Sequence, residues 1–201
     1  RPIRTLMSTS NTKNYECKKV RLNHQGCVII QTDSDLVSLP SYVYLVQNVS
    51  EGIVCVQNLQ GFWGAMTING QQIIPFEYIT LQDFNEGRTF GIDKNKRLHL
   101  LSLDGKSIKI LDTFTDARPF IHGYASIYKN ELCGLVDSFG EIVLLPDFSD
   151  INYSGIADYY ILTKDDKEGI FQVSTKTVIP PLYQRIVSIE KEYIVVEIPV
   201  L

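Results

Sequence analysis

One spacing constrains this chain more than any other feature: its turn-forming and strand-ending residues recur every 35 positions. Pro40 and Pro75 stand 35 residues apart, and Pro180 stands three further steps of 35 beyond. Pro146 is one residue out of step, and Ile110 takes the corresponding place in the middle of the chain. Gly134 lies two steps after Gly64 and Gly169 one step later, with His99 in the position between. Glu51-Gly52 and Glu86-Gly87 keep the same distance, and Gly123 follows within one residue. Any one of these markers is weak. Several independent markers at one period are the signature of a repeat architecture. Five units result, 26–60, 61–96, 97–131, 132–166 and 167–201. Residues 1–25 precede them as a polar tail, 1–14, and a strand-like capping stretch, Cys17 to Leu22.

Within a unit the texture is β: short runs of Val, Ile, Leu and aromatics separated by turn residues. In the second unit, Phe62 to Ile68 predicts a first strand. Asn69-Gly70 predicts a tight hairpin, because that pair tolerates positive φ at both central positions. Gln71 to Ile74 returns, and Pro75 is expected to end the strand because proline cannot donate to the ladder. Tyr78–Leu81 and Arg88–Ile92 complete the set. Asp104-Gly105, Phe139-Gly140, Ser174-Thr175 and Asp33-Ser34-Asp35 hold the hairpin position in the other units. Cys17–Leu22 has the phase of a fourth strand and either caps the first repeat or pairs with the last. No stretch carries a sustained 3.6-residue apolar period with helix caps, and no linker divides 26–201, so one continuous domain is expected.

A 35-residue set of short strands has an apolar face that it cannot bury alone. Burying one large apolar side chain contributes roughly 1.5–3 kcal/mol, and one or two per unit do not offset the ordering of the backbone. Stacked neighbours must therefore share cores. The fold class expected is all-β, with five tandem repeats of short antiparallel strands in an open or spiral array. The alternative is a small five-bladed, propeller-like ring, though 35 residues is short for a propeller blade.

Phe62-Trp63-Gly64, the Asn69-Gly70 turn, Ile73-Ile74-Pro75, Tyr78 and Phe84-x-Glu86-Gly87 together resemble the WG-repeat proteins. The resemblance covers about residues 26–201 and is specific in the second unit. Trp63 is the only Trp, and Val28, Leu98, Cys133 and Glu168 take its place elsewhere. The resemblance implies a bacterial protein, often exported to the periplasm, cell surface or exterior, and carries no catalytic residues to map. The start at Arg1 rather than Met is explained equally by a removed export signal and by trimming at a domain boundary.

A net charge of −4 and a pI near 5.4 argue against a phosphate-binding surface, so no nucleic-acid partner is expected. No apolar run approaches the roughly 20 residues of a spanning helix. Cys17, Cys27, Cys55 and Cys133 include no Cys-x-x-Cys and are not spaced with His24, His99 or His122 as zinc ligands are. Free thiols are preferred to two disulfides, and no metal or cofactor is expected. Asp33-Ser34-Asp35 and Asp165-Asp166-Lys167-Glu168 read as turns rather than metal loops. The three histidines sit in different units, each without a nearby nucleophile in sequence. Trp63 reads as a packing residue. Tyr42, Tyr44, Tyr78 and Tyr183, near the proline position, are the candidate binding residues, with a core role for such tyrosines equally open. The chain is thus expected to be a non-enzymatic scaffold binding a protein or surface polymer. A hydrolase with carboxylates gathered across units and a spacer of a larger exported protein stand as alternatives.

Overall fold

The computed structural model describes residues 17–201, so the polar stretch 1–14 lies outside the described residues. Sheet I holds β1 (Ile29–Gln31) and β2 (Leu36–Ser38). Sheet II runs without a crossover through β3 (Val43–Ser50), β4 (Ile53–Asn58), β5 (Trp63–Thr67), β6 (Gln72–Leu81), β7 (Arg88–Asp93), β8 (Leu98–Ser102) and β9 (Ser107–Ile110). Sheet III contains β10 (Asp116–Ala117), β11 (Tyr124–Lys129), β12 (Leu132–Asp137) and β13 (Ile142–Phe148). Sheet IV contains β14 (Asp150–Tyr153), β15 (Tyr159–Lys164), β16 (Lys167–Gln172) and β17 (Thr177–Tyr183). Sheet V is the pair β18 (Arg185–Ile189) and β19 (Ile194–Glu197).

The all-β repeat architecture is therefore as expected, built from antiparallel meanders. Among the described residues no strand pairing joins sheet V to sheet I. Leu22 bridges Val28, so the Cys17–Leu22 stretch caps the first repeat. The sheets are phased about half a unit away from the boundaries read from the sequence. Hydrogen bonding breaks after Pro40, Ile110, Pro146 and Pro180 but not after Pro75, so sheets II to V each start with the strand that follows such a position.

Two local expectations are corrected. Pro75 does not end its strand; β6 continues to Leu81 and pairs with β5 on one side and β7 on the other. The register explains this. Ala65 opposes Ile74 while Trp63 opposes Tyr78, so residues 75–77 bulge opposite Gly64, where proline's missing N–H is not needed. The Asn69-Gly70 turn is also not a two-residue turn with both φ positive. Gly70 donates its N–H to Thr67 O, and of the pair only Gly70 has positive φ, at 85°. This is a type I turn closed by a left-handed residue. The turns with both central φ positive are instead Glu51-Gly52, Glu86-Gly87, His122-Gly123, Asn130-Glu131 and Asp165-Asp166.

Gly64 has a steric reason. A Cβ there would lie 2.5 Å from Ile74 O, and Gly134 and Gly169 meet the carbonyls of Leu144 and Ile179 in the same way. The unit that carries His99 lacks the proline and its bulge: His99 simply opposes Ile110, which leaves room for a side chain.

The cores lie between consecutive units, as stacking requires. Val28, Ile30 and Leu39 pack with Val54, Val56 and Met66. Trp63, 9% exposed, packs with Cys55, Ile74, Tyr78, Leu81 and Phe84. Phe90 and Leu100 meet Phe114, Phe120 and Ile127. Cys133 and Leu135 meet Phe148, Ile151, Leu162 and Phe171. Trp63 is a packing residue of the second of these cores.

Candidate functional site

The Glu-Gly turns explain themselves once stacked. Glu51 accepts the Gly87 N–H through its carboxylate at 3.1 Å, and Glu86 accepts the Gly123 N–H at 3.2 Å. Each turn thus staples the next. The left-handed residue exposes the N–H, and the preceding unit's carboxylate satisfies it. The series ends at the third turn, because His122 stands in the glutamate's place. Its imidazole stacks on Tyr153, with centroids 3.8 Å apart and planes 27° apart.

An aromatic cleft of about 310 Å³ opens at this point, between sheets III and IV. Tyr124 comes from β11 of sheet III and His122 from the β10–β11 turn; Tyr153, Asp158 and Tyr160 come from sheet IV and its first turn. Tyr153 meets Tyr160 at 5.7 Å with planes 64° apart, and Tyr124 meets Tyr160 at 6.2 Å with planes 84° apart. Edge-to-face packing of this kind fixes ring orientation. Tyr160 is buried, and its hydroxyl finds no hydrogen-bond partner within the protein. Burial pushes that hydroxyl up to about 12, with Tyr124, Tyr153 and Glu86 adding to the rise. A second, smaller cleft of about 110 Å³ shares Tyr124, Tyr153 and Tyr160 and extends toward Arg118.

Asp158 supplies the charge. Its carboxylate accepts from the Ser174 hydroxyl, from the Ser174 N–H at 2.7 Å and from Gln172 Nε2 at 3.1 Å. The Ser174 hydroxyl, against a smaller opposing effect of burial, holds the Asp158 carboxyl below its usual range. The one nearby guanidinium among the cleft-lining residues, Arg118, is engaged with Asp150 at 3.2 Å and lies 5.2 Å over the Tyr128 ring.

The four tyrosines singled out from the sequence are not brought together. Tyr42 and Tyr44 are exposed, and Tyr42 packs edge-on against Phe76. Tyr183 is half-buried at the end of β17. Tyr78 is buried, paired with Trp63 across β5 and β6 and set edge-on to His99, so it is a core wedge rather than a surface contact. The residues that do converge, Tyr124, Tyr153 and Tyr160, follow no proline. Their sequence signal is indirect: His122 breaks the phase of Glu51 and Glu86.

His99 acquires partners that its sequence neighbourhood did not predict. Nδ1 lies 3.0 Å from Ser107 Oγ, and Nε2 lies 2.7 Å from Asp93 Oδ2. The set has the composition of a hydrolytic triad, but the ring is used the other way round, since such triads present Nε2 to the serine. Asp93 Oδ1 also accepts the N–H groups of Asn95 and Arg97, as Asn23 and Asn58 do in the equivalent turns. Asp93 is foremost a turn residue. Asp33-Ser34-Asp35 forms the β1–β2 turn, closed by Thr32 on Asp35, and Asp165-Asp166 forms the β15–β16 turn. No group of three or more His, Cys, Asp or Glu suited to a metal occurs among the described residues. Cys27, Cys55 and Cys133 carry free thiols. Burial, reinforced by Asp83, pushes Cys55 up to about 12, and burial with Asp150 pushes Cys133 up to about 11.

The family model of the WG containing repeat matches residues 63–96. The second unit is a WG repeat. Among the curated proteins compared, none matches. Of the solved structures, a fragment of HIRA, residues 644–1017 in its own description, is similar over 67% of this chain and 51% of its own, at 10% identity and TM-score 0.44. BamB from Moraxella catarrhalis is similar over 79% and 59%, at 17% identity and TM-score 0.39. The WD40 β-propeller domain of Doa1 is similar over 78% and 62%, at 11% identity and TM-score 0.37. The chain thus spans only about half to three-fifths of the length of these structures. No helix among the described residues is long and apolar enough to cross a membrane.

Proposed function

We propose that this chain is a non-enzymatic β-repeat scaffold that binds a protein or a cell-surface polymer, and that the aromatic cleft between sheets III and IV is where it binds. One observation carries the reading: three tyrosines and a histidine converge where the repeat's carboxylate staple gives out. Tyrosine provides contact area and a polar tip at small entropic cost, which suits recognition. The cleft's volume is at the lower end for small-ligand sites, so it takes one side group of a larger partner rather than a whole drug-sized molecule. The proposal includes export, so that the scaffold meets its partner outside the cytoplasm.

The test is a screen of the purified chain on glycan and peptide arrays beside Tyr153→Leu. The expected result is a ligand retained by the wild type and lost by the variant at an unchanged melting temperature. Turnover of an array substrate that disappears on mutating one cleft residue would overturn the non-enzymatic reading. Ligand capture unaffected by Tyr153→Leu would overturn the placement of the site.

A further inference from the structure

We propose that the cleft between sheets III and IV is a cage for a trimethylammonium group. The inference rests on reading this cleft as the binding site and names the chemistry it takes. Tyr124 and Tyr153 stand at 84° and 64° to Tyr160, so the ring walls meet at steep angles. Walls set this way surround a compact, nearly spherical group, whereas a flat sugar ring asks for a broad parallel platform. The electron-rich faces of tyrosine attract a cation placed within about 6 Å of the ring centroid.

The polar groups around the cleft fit the same class. Asp158 brings a negative charge, but its lone pairs are already engaged by Ser174 and Gln172. It therefore offers field more than hydrogen bonds, which suits a cation with no N–H to donate. A primary ammonium would have to shed water without gaining acceptors. Arg118, which lines the adjoining smaller cleft, is paired with Asp150.

The test is titration of the chain, followed by NMR, with choline and with 3,3-dimethyl-1-butanol, its uncharged isostere. Choline is expected to bind roughly tenfold more tightly than the isostere. Its binding should vanish in Tyr153→Leu and weaken several-fold in Asp158→Asn. Equal affinity for the isostere, or choline binding unaffected by Tyr153→Leu, overturns the proposal; the isostere comparison needs no variant to fold. Two further arms separate the sources of the group: a trimethyllysine peptide, and vesicles of phosphatidylcholine. Tighter binding in either arm supports the cage and identifies its source. If choline fails while an array ligand is still lost in Tyr153→Leu, this inference falls and the binding reading stands.

Discussion

Replacing Asp93 by Ala probes whether the Asp93–His99 contact is a structural lock. In the native protein Asp93 Oδ1 accepts two turn N–H groups, at 2.8 Å from Asn95 and 3.0 Å from Arg97. Oδ2 accepts Arg97 Nε at 2.9 Å and faces His99 Nε2 at 2.7 Å. Removing the carboxylate has unequal consequences. The turn N–H groups regain water, and the loss resembles that of a helix N-cap, about 1 kcal/mol. The Arg97 side chain is 46% exposed, so its pair adds at most about 1 kcal/mol. His99, 7% exposed, keeps a buried ring nitrogen with no partner, which costs about 1–3 kcal/mol. The expected total is about 2–5 kcal/mol, read from urea unfolding at neutral pH. A double-mutant cycle isolates the buried term: in a His99→Phe background, Asp93→Ala should cost only about 1–2 kcal/mol. Equal costs in the two backgrounds would refute the assignment of the larger share to the orphaned imidazole. The pH dependence has a definite sign. Burial alone would raise the Asp93 carboxyl, but hydrogen bonds from Arg97 N–H, His99, Asn95 N–H and the Arg97 side chain outweigh it and hold the group well below its usual range. Its contribution is therefore fully present above the unfolded value near 4 and is lost as the pH falls toward the folded value. The stability gap between wild type and Asp93→Ala should be constant above about pH 5 and shrink below pH 4.

Two other perturbations test the repeat. Trp63→Ala removes a buried indole from the core shared with Tyr78 and Phe84, so it should cost about 3–5 kcal/mol and lower the melting temperature; an unchanged melting temperature with lost ligand binding would make Trp63 a recognition residue instead. Gly134→Ala drives a methyl into Leu144 O and the Pro146 nitrogen and should cost about 1–3 kcal/mol by chemical denaturation, while His99→Ala, at the equivalent position without the bulge, should show no such steric term.

The period, the strand count and the packing role of Trp63 were legible in the sequence because local rules set them. Proline and glycine mark places where the backbone lacks a donor, turns left-handed or passes close to another strand, and those constraints act within a few residues. The phase of the sheets was less legible. It depends on where the hydrogen-bond ladder breaks, and β6 shows that a ladder can pass a proline if a bulge absorbs it. The site was not legible as a cluster. Tyr124, Tyr153 and Tyr160 lie on three strands of two sheets, and only stacking brings them together. Tyr78 and Tyr42, equal candidates in the sequence, differ because one faces Trp63 in a core and the other faces solvent.

Substitutions at repeat positions follow what each position must hold. The Trp position contains buried Leu98 and Cys133 in the middle units, where apolar packing joins neighbouring sheets. At Glu168 it instead offers a carboxylate to the Ile186 N–H at 2.6 Å, stitching sheet IV to the two-stranded sheet V. Packing gives way to a charge-assisted hydrogen bond where the next sheet has fewer strands to pack. The Glu-Gly position runs the other way. Glu51 and Glu86 each hold the following turn, and His122 gives up that bond for a ring contact with Tyr153. In a stacked array stability is close to a sum over neighbours. The loss of one such hydrogen bond, roughly 1.5–3 kcal/mol for a charged acceptor, is borne by the core of Leu135, Ile151, Leu162 and Phe171 just beneath it. The array can therefore afford an open aromatic cleft at this junction, where the interface below is already secured by packing.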